Sequence, residues 1–181
     1  MHKKTHLLFL IICISICFSA NERILANPND NVSSLEENYT NIGFKPVGEA
    51  LRDFEHHYNQ NLQLPLRVPP VVFTHVFARF NESDDTDIFE MEFINEHSSV
   101  NNFMINVAVK DSFKILDKEV IKEYRLKGGN TAYLLSIRGT TLLVFEKDNL
   151  QYRFSVDKRM SEKISPEVLV QIANSIDLES N

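Results

Sequence analysis

Two glutamates two residues apart, Glu90 and Glu92, are the first groups in this chain whose type and spacing suggest chemistry. Paired carboxylates can cleave glycosidic bonds when they stand across a cleft at a set separation. Here they alternate with Phe89, Met91 and Phe93, so they read as the wet side of a β-strand. The same alternation from Leu150 to Asp157 turns Tyr152, Phe154 and Val156 inward and leaves Gln151, Arg153 and Ser155 on the polar side. Glu90, Glu92, Gln151, Arg153 and Ser155 therefore form a candidate binding face. Tyr152-Arg153-Phe154 imitates a nucleic-acid stacking platform. Its rings point inward, however, and a formal net charge of −6 repels a phosphate backbone, so no nucleic-acid partner is expected.

The remaining chemistry-bearing residues are dispersed. His56 and His57 are adjacent on a helical stretch, which sends their rings about 100° apart and away from a shared ion. His75 and His97 stand alone, and there is no HExxH pattern. Asn81 to Asp87 gathers oxygen ligands, but it lacks the glycine and terminal glutamate of a calcium loop and reads as a solvated hairpin tip. No G-x-S-x-G and no G-K-[ST] occurs; Gly128-Gly129 is a turn. Cys13 and Cys17 are the only cysteines. Catalytic residues, metal ligands and cofactors are accordingly none.

The elements that carry these residues follow from periodicity. Val47, Leu51, Phe54 and Tyr58 recur on one helical face after Pro46. Leu64 to Pro70 holds three prolines and is an extended connector. From Val71 the period is two: Val71–Phe80, Phe89–Phe93, Phe103–Val109, Val120–Leu126, Tyr133/Leu135/Ile137, Leu143/Phe145 and Leu150–Val156 are strand candidates. Gly128-Gly129, Arg138-Gly139 and Asp148-Asn149 are turn signals, so neighbouring strands should be antiparallel. Ser165-Pro166-Glu167 opens a last helix with Leu169, Ile172, Ala173 and Ile176 on one face. The expected fold is α+β, with an antiparallel sheet of about six or seven strands packed against an N-terminal and a C-terminal helix.

The chain's beginning sets the expected compartment. His2-Lys3-Lys4 precedes an apolar run from Leu7 to Phe18, the pattern of a secretory signal and shorter than a membrane span. Residues 1–26 are read as a signal peptide or membrane anchor. Cleavage after Ala26, lipidation at Cys13 or Cys17, and uncleaved retention are the alternatives. Residues 27–42 are polar and read as a flexible spacer. Residues 43–181 are one α+β domain, extracytoplasmic, either secreted or held by the N-terminal segment. Eleven of the chain's thirteen phenylalanines lie in it and supply its core without tryptophan or disulfides.

Lys127 to Ile176 resembles the C-terminal half of the domain-of-unknown-function 4367 family, found in exported Bacillus-type Gram-positive proteins. The resemblance rests on the Gly128-Gly129 turn, Tyr133, Phe145-Glu146, Tyr152-Arg153-Phe154 and the Ser-Pro-Glu helix ending Ile-Ala-Asn-Ser-Ile. The proline-containing Leu64–Pro70 is similar to the family's lead-in to its sheet, whereas Phe145 stands where the family commonly has Trp. Such domains occur as small secreted proteins, lipoproteins and outer parts of anti-sigma regulators. The resemblance implies fold and compartment and carries no catalytic residues.

Two functional classes remain. The expected one is a non-catalytic extracytoplasmic binding or sensory module of the cell envelope. Its partner would be an envelope protein, peptide or polymer, with the membrane involved only through a retained N-terminal segment. The competing class is a secreted enzyme of hydrolase-like type, which a cleft with several perturbed titratable groups would favour.

Overall fold

A computed structural model describes residues 33–176. The signal-like segment, both cysteines and the first half of the polar spacer lie outside the described residues. Two short helices come first, α1 (Leu35–Asn41) and α2 (Val47–Tyr58). Seven strands follow: β1 (His75–Asn81), β2 (Ile88–Ile94), β3 (Asn102–Val109), β4 (Val120–Arg125), β5 (Thr131–Ile137), β6 (Thr140–Lys147) and β7 (Leu150–Asp157). Helix α3 (Pro166–Ala173) closes the order. The strands make one sheet in the order β1-β2-β3-β7-β6-β5-β4, and every neighbouring pair is antiparallel.

The tight turns form where the sequence supplies residues that tolerate positive φ. Arg138 and Gly139 (φ 47° and 85°) join β5 to β6, and Asp148 and Asn149 (51° and 63°) join β6 to β7. The connection from β3 to β4 is different. It skips β7, β6 and β5, a lateral step of about 19 Å at the usual strand spacing. Residues 110–119 make that step as a crossover without regular structure except a single 3-10 turn, Asp117–Glu119.

One face of the sheet is the main core. Phe54 of α2 meets Phe80 and Phe89 edge-on, at centroid distances of 5.6 and 6.2 Å. Phe154 packs against Phe103 and Phe145, and Phe145 stacks on Tyr152. Leu169, Ile172, Ala173 and Ile176 are all buried at the α3 end of this layer. The proline-rich connector runs over the same face. The Tyr152 hydroxyl donates to the Gln63 carbonyl at 3.1 Å, and the Arg67 amide donates to Ser175 Oγ at 3.1 Å.

Three expectations need correction. The spacer expected over residues 27–42 is helical in its second half: α1 belongs to the compact unit, which begins at Ser34 rather than at residue 43. Ser34-Leu35-Glu36-Glu37 is a capping-box sequence, and the Glu37 amide donates to Ser34 Oγ at 3.1 Å. The apolar series Tyr133/Leu135/Ile137, expected to turn to the buried side of its strand, is not the one that faces the main core. Ala132 and Leu134 face the main core, whereas Tyr133 and Leu135 face the other side. This strand is apolar on both faces, so period-two reading had nothing to fix its phase. Finally, β1 starts at His75, not Val71, since the ladder with β2 begins at the His75–Ile94 pair.

Candidate functional site

The second face of the sheet carries the residues singled out from the sequence. The ladder registers place Arg79, Glu90, Asn106 and Arg153 in one row across β1, β2, β3 and β7. Glu92 and Ser155 lie in the next row, on either side of Met104. Gln151 is opposite Ala108 in the row on the other side of Arg153. Glu90, Glu92, Gln151, Arg153 and Ser155 are thus brought onto one face, as their spacing implied.

On that face Glu90, Glu92, Arg153 and Ser155 are half-buried and Gln151 is buried. Gln151 is 2% exposed, and its side-chain oxygen accepts the Phe113 amide of the crossover at 2.5 Å. The Phe113 ring lies against the Arg153 guanidinium, 4.3 Å from its carbon to the ring centroid. Arg153 donates through Nε and Nη2 to Asn106 Oδ1 at 3.3 and 3.0 Å. Burial lowers the Arg153 pKa, opposed in part by the Glu90 carboxylate. Glu90 itself is held by Arg79 and by Asn106 Nδ2. Glu92 accepts from Asn102 Nδ2 at 2.6 Å. These groups are partners of one another rather than waiting donors and acceptors.

The other side of this face is covered by α1. Tyr39 stacks on Phe77 at 4.5 Å and meets Phe44 edge-on at 5.1 Å. Glu36 is 2.8 Å from His75 Nε2. Arg79 reaches the Ile42 carbonyl at 2.9 Å and lies over the Phe44 ring. Burial, followed by the nearby Glu92 carboxylate, pushes the Tyr39 phenol up to about 12.

Beside the crossover lies an accessible groove. Two adjoining hollows of about 180 and 420 Å³ share Ile115 and Tyr133. Val144, Phe145 and Gln151 line the first, while Asp117, Val120 and Glu123 line the second. Glu146 stands at the rim with Lys110 at 2.9 Å. Sequence reading missed this groove because the crossover carries no periodic signal. It also missed Asn106, although its place between Met104 and Ala108 put it on the polar side of β3.

The dispersed groups stay dispersed. His57 approaches Asp87 at 3.1 Å and Glu82 at 3.7 Å, and Tyr58 donates to Asp87 at 3.3 Å. The acidic hairpin tip therefore closes on the end of α2. Burial, then Asp87 and Glu82, raises the Tyr58 phenol to about 12. His75 faces Glu36, and His97 faces Glu96 at 3.1 Å. Among the described residues, no group of three or more His, Cys, Asp or Glu is placed to hold a metal, and no helix is long and apolar enough to cross a membrane.

Fold and site together define an α+β domain whose antiparallel sheet is backed by α2 and α3 on one face and covered by α1 and a strand-skipping connection on the other. The chain belongs to the family described as Domain of unknown function (DUF4367), which it matches over residues 70–176, more than half its length. The match spans the whole sheet and α3, and leaves α1 and α2 before it. Neither a curated protein nor a solved structure matches the chain.

Proposed function

We propose that this protein is an extracytoplasmic binding module of the bacterial cell envelope, and that it takes a basic peptide segment in the groove beside the 110–119 crossover. The groove carries this reading. Its floor offers an aromatic and an aliphatic surface, Tyr133 and Ile115, for an anchoring side chain. Its outer part offers Asp117 and Glu123 with no cation among the lining residues, which suits lysine or arginine. The signal-like beginning and the family resemblance support the compartment. The polar row beside it on the same face contributes rigidity: Arg79, Glu90, Asn106 and Arg153 bond to one another, and Arg153 carries the Phe113 ring of the crossover.

Peptide arrays probed with the purified protein test the reading. Peptides combining Lys or Arg with an aromatic or branched aliphatic residue should be retained, with affinity that falls as salt rises. Asp117→Lys and Tyr133→Ser should each weaken retention about tenfold or more, in line with loss of a charge contact or an aromatic anchor. Retention unchanged in both variants would remove the groove. Turnover in a hydrolase panel, abolished by one carboxylate or histidine substitution, would remove the binding-module reading as a whole.

A further inference from the structure

The two edges of the sheet are treated differently. At β1 the outer backbone is occupied: Lys45 and Ala78 exchange two hydrogen bonds, at 2.8 and 3.1 Å. At β4 nothing comparable is present among the described residues, and Ile121, Lys122, Glu123 and Arg125 are all exposed. The register fixes which β4 groups face outward. The Leu126 amide donates to the Asn130 carbonyl at 2.9 Å, so Leu126–Asn130 is a hydrogen-bonded pair. Such pairs recur at every second residue of an antiparallel ladder. Tyr124 and Lys122, opposite Ala132 and Leu134, therefore point their N–H and C=O groups at β5. Glu123 and Arg125 point theirs away from the sheet.

We propose that the chain self-associates by antiparallel pairing of β4 with β4 of a second copy, in the register that sets Tyr124 opposite Tyr124. Two copies continuing one sheet are related by a dyad normal to it. That dyad keeps every side chain on its own face, and directly opposite residues share a face, so it must pass midway between two copies of the same residue. Five centres fall within residues 121–125, but Ile121 is the irregular residue between Val120 and Lys122, where no regular pairing can be centred. Centres at Lys122, Glu123 or Arg125 set like charges against each other, which is unfavourable. The centre at Tyr124 sets Glu123 opposite Arg125 of the second copy, twice over, and joins their outward backbone groups in hydrogen-bonded pairs. The bulge between Val120 and Lys122 ends the pairing on one side. The turn after Leu126 ends it on the other. A contact this short falls below the usual area of stable complexes, so the dimer should be weak, with Kd on the order of 0.1 mM. This edge shares Glu123 with the peptide groove, so dimerisation is measured in the absence of peptide and by cross-linking in chains that keep Glu123, and either reading can fail without the other.

Cross-linking reads the register directly. In the full chain with Cys13→Ser and Cys17→Ser, Tyr124→Cys should oxidise to a disulfide-linked dimer, because opposite residues at non-hydrogen-bonded positions are closest. Lys122→Cys and Arg125→Cys should link at least about tenfold less. Sedimentation of chains that keep Tyr124 supplies a measurement independent of that substitution. Glu123→Arg and Arg125→Glu should each weaken dimerisation about tenfold, the combined cost of two like-charge pairs, and the double exchange should restore it. A monomer at about 1 mM, a double exchange that fails to restore association, or equal linking at positions 122 and 124 would each overturn the proposal.

Discussion

The helix-side face of the sheet is closed by apolar side chains, whereas the opposite face is closed by a hydrogen-bonded row of charged and amide groups under a crossover and a short helix. On the first, Phe54, Phe89, Phe103, Phe145 and Phe154 are essentially inaccessible and meet one another as rings. On the second, Asn106 and Gln151 are buried as completely, and each has a partner. No buried side-chain nitrogen or oxygen among the described residues lacks one. Apolar contacts are non-directional and tolerate substitution by similar volume. A buried amide or guanidinium has to meet its partners at set distances. The first face therefore supplies most of the stability, and the second fixes the position of the crossover that walls the groove.

Substitutions on the two faces should separate these roles. The largest effect is expected from Phe154→Ala, which opens a cavity where Phe103 and Phe145 meet. It should cost about 3–5 kcal/mol in denaturant unfolding. Ile172→Ala, at the docked face of α3, should cost about 2–5 kcal/mol. An unchanged midpoint for either would mean that the helix-side layer is not the main core.

Arg153→Ala should cost less, about 1–3 kcal/mol, as it strands the buried Asn106 oxygen and leaves Phe113 without its cation. The informative comparison is Asn106→Leu combined with Arg153→Met. Replacing both partners by apolar groups of similar shape can be nearly neutral. The double variant should thus be more stable than Arg153→Ala alone while still altering the crossover, readable as faster amide exchange over residues 110–119. A double variant as unstable as the single one would show that the row's worth is energetic rather than positional.

Much of this contrast was legible in the sequence, and the reasons for the rest are physical. Strands β2 and β7 alternate cleanly between apolar and polar residues, so their faces could be assigned from period alone. Turns that need positive φ announced themselves through Asp148-Asn149 and Arg138-Gly139. In β5, Tyr133-Leu134-Leu135 is apolar on both faces, so period alone does not say that Leu134 faces the main core and Tyr133 the other side. The spatial order of strands, and with it the crossover over Gln151 and Arg153, depends on contacts far apart in sequence that no local pattern encodes. Helix α1 had a readable start in Ser34 to Glu37. It also pairs Leu35 with Tyr39 at i, i+4, but seven residues give too few turns for a hydrophobic period to stand out.

The mildest perturbation addresses α1 and the acidic hairpin tip. Tyr39 joins α1 to the polar face, and Tyr58 joins α2 to the hairpin tip; burial is the first cause of both raised phenols, with Glu92 beside one and Asp87 beside the other. A phenol whose pKa is higher in the folded state favours folding in full below its ordinary value near 10. That contribution disappears as pH rises through the folded value of about 12, because the phenolate then forms beside a carboxylate in a partly desolvated position. Stability should therefore fall between pH 10 and 12. Ultraviolet titration of the five tyrosines should show a late fraction that shrinks in Tyr39→Phe and shrinks again in Tyr39→Phe/Tyr58→Phe. In Tyr39→Phe the ring still stacks on Phe77, so α1 should stay docked at neutral pH and also resist alkali better than in the parent. A late fraction untouched by both substitutions would mean that neither phenol is held as described. It would leave the Glu36–His75 contact and the Phe77 stack as the ties between α1 and the sheet.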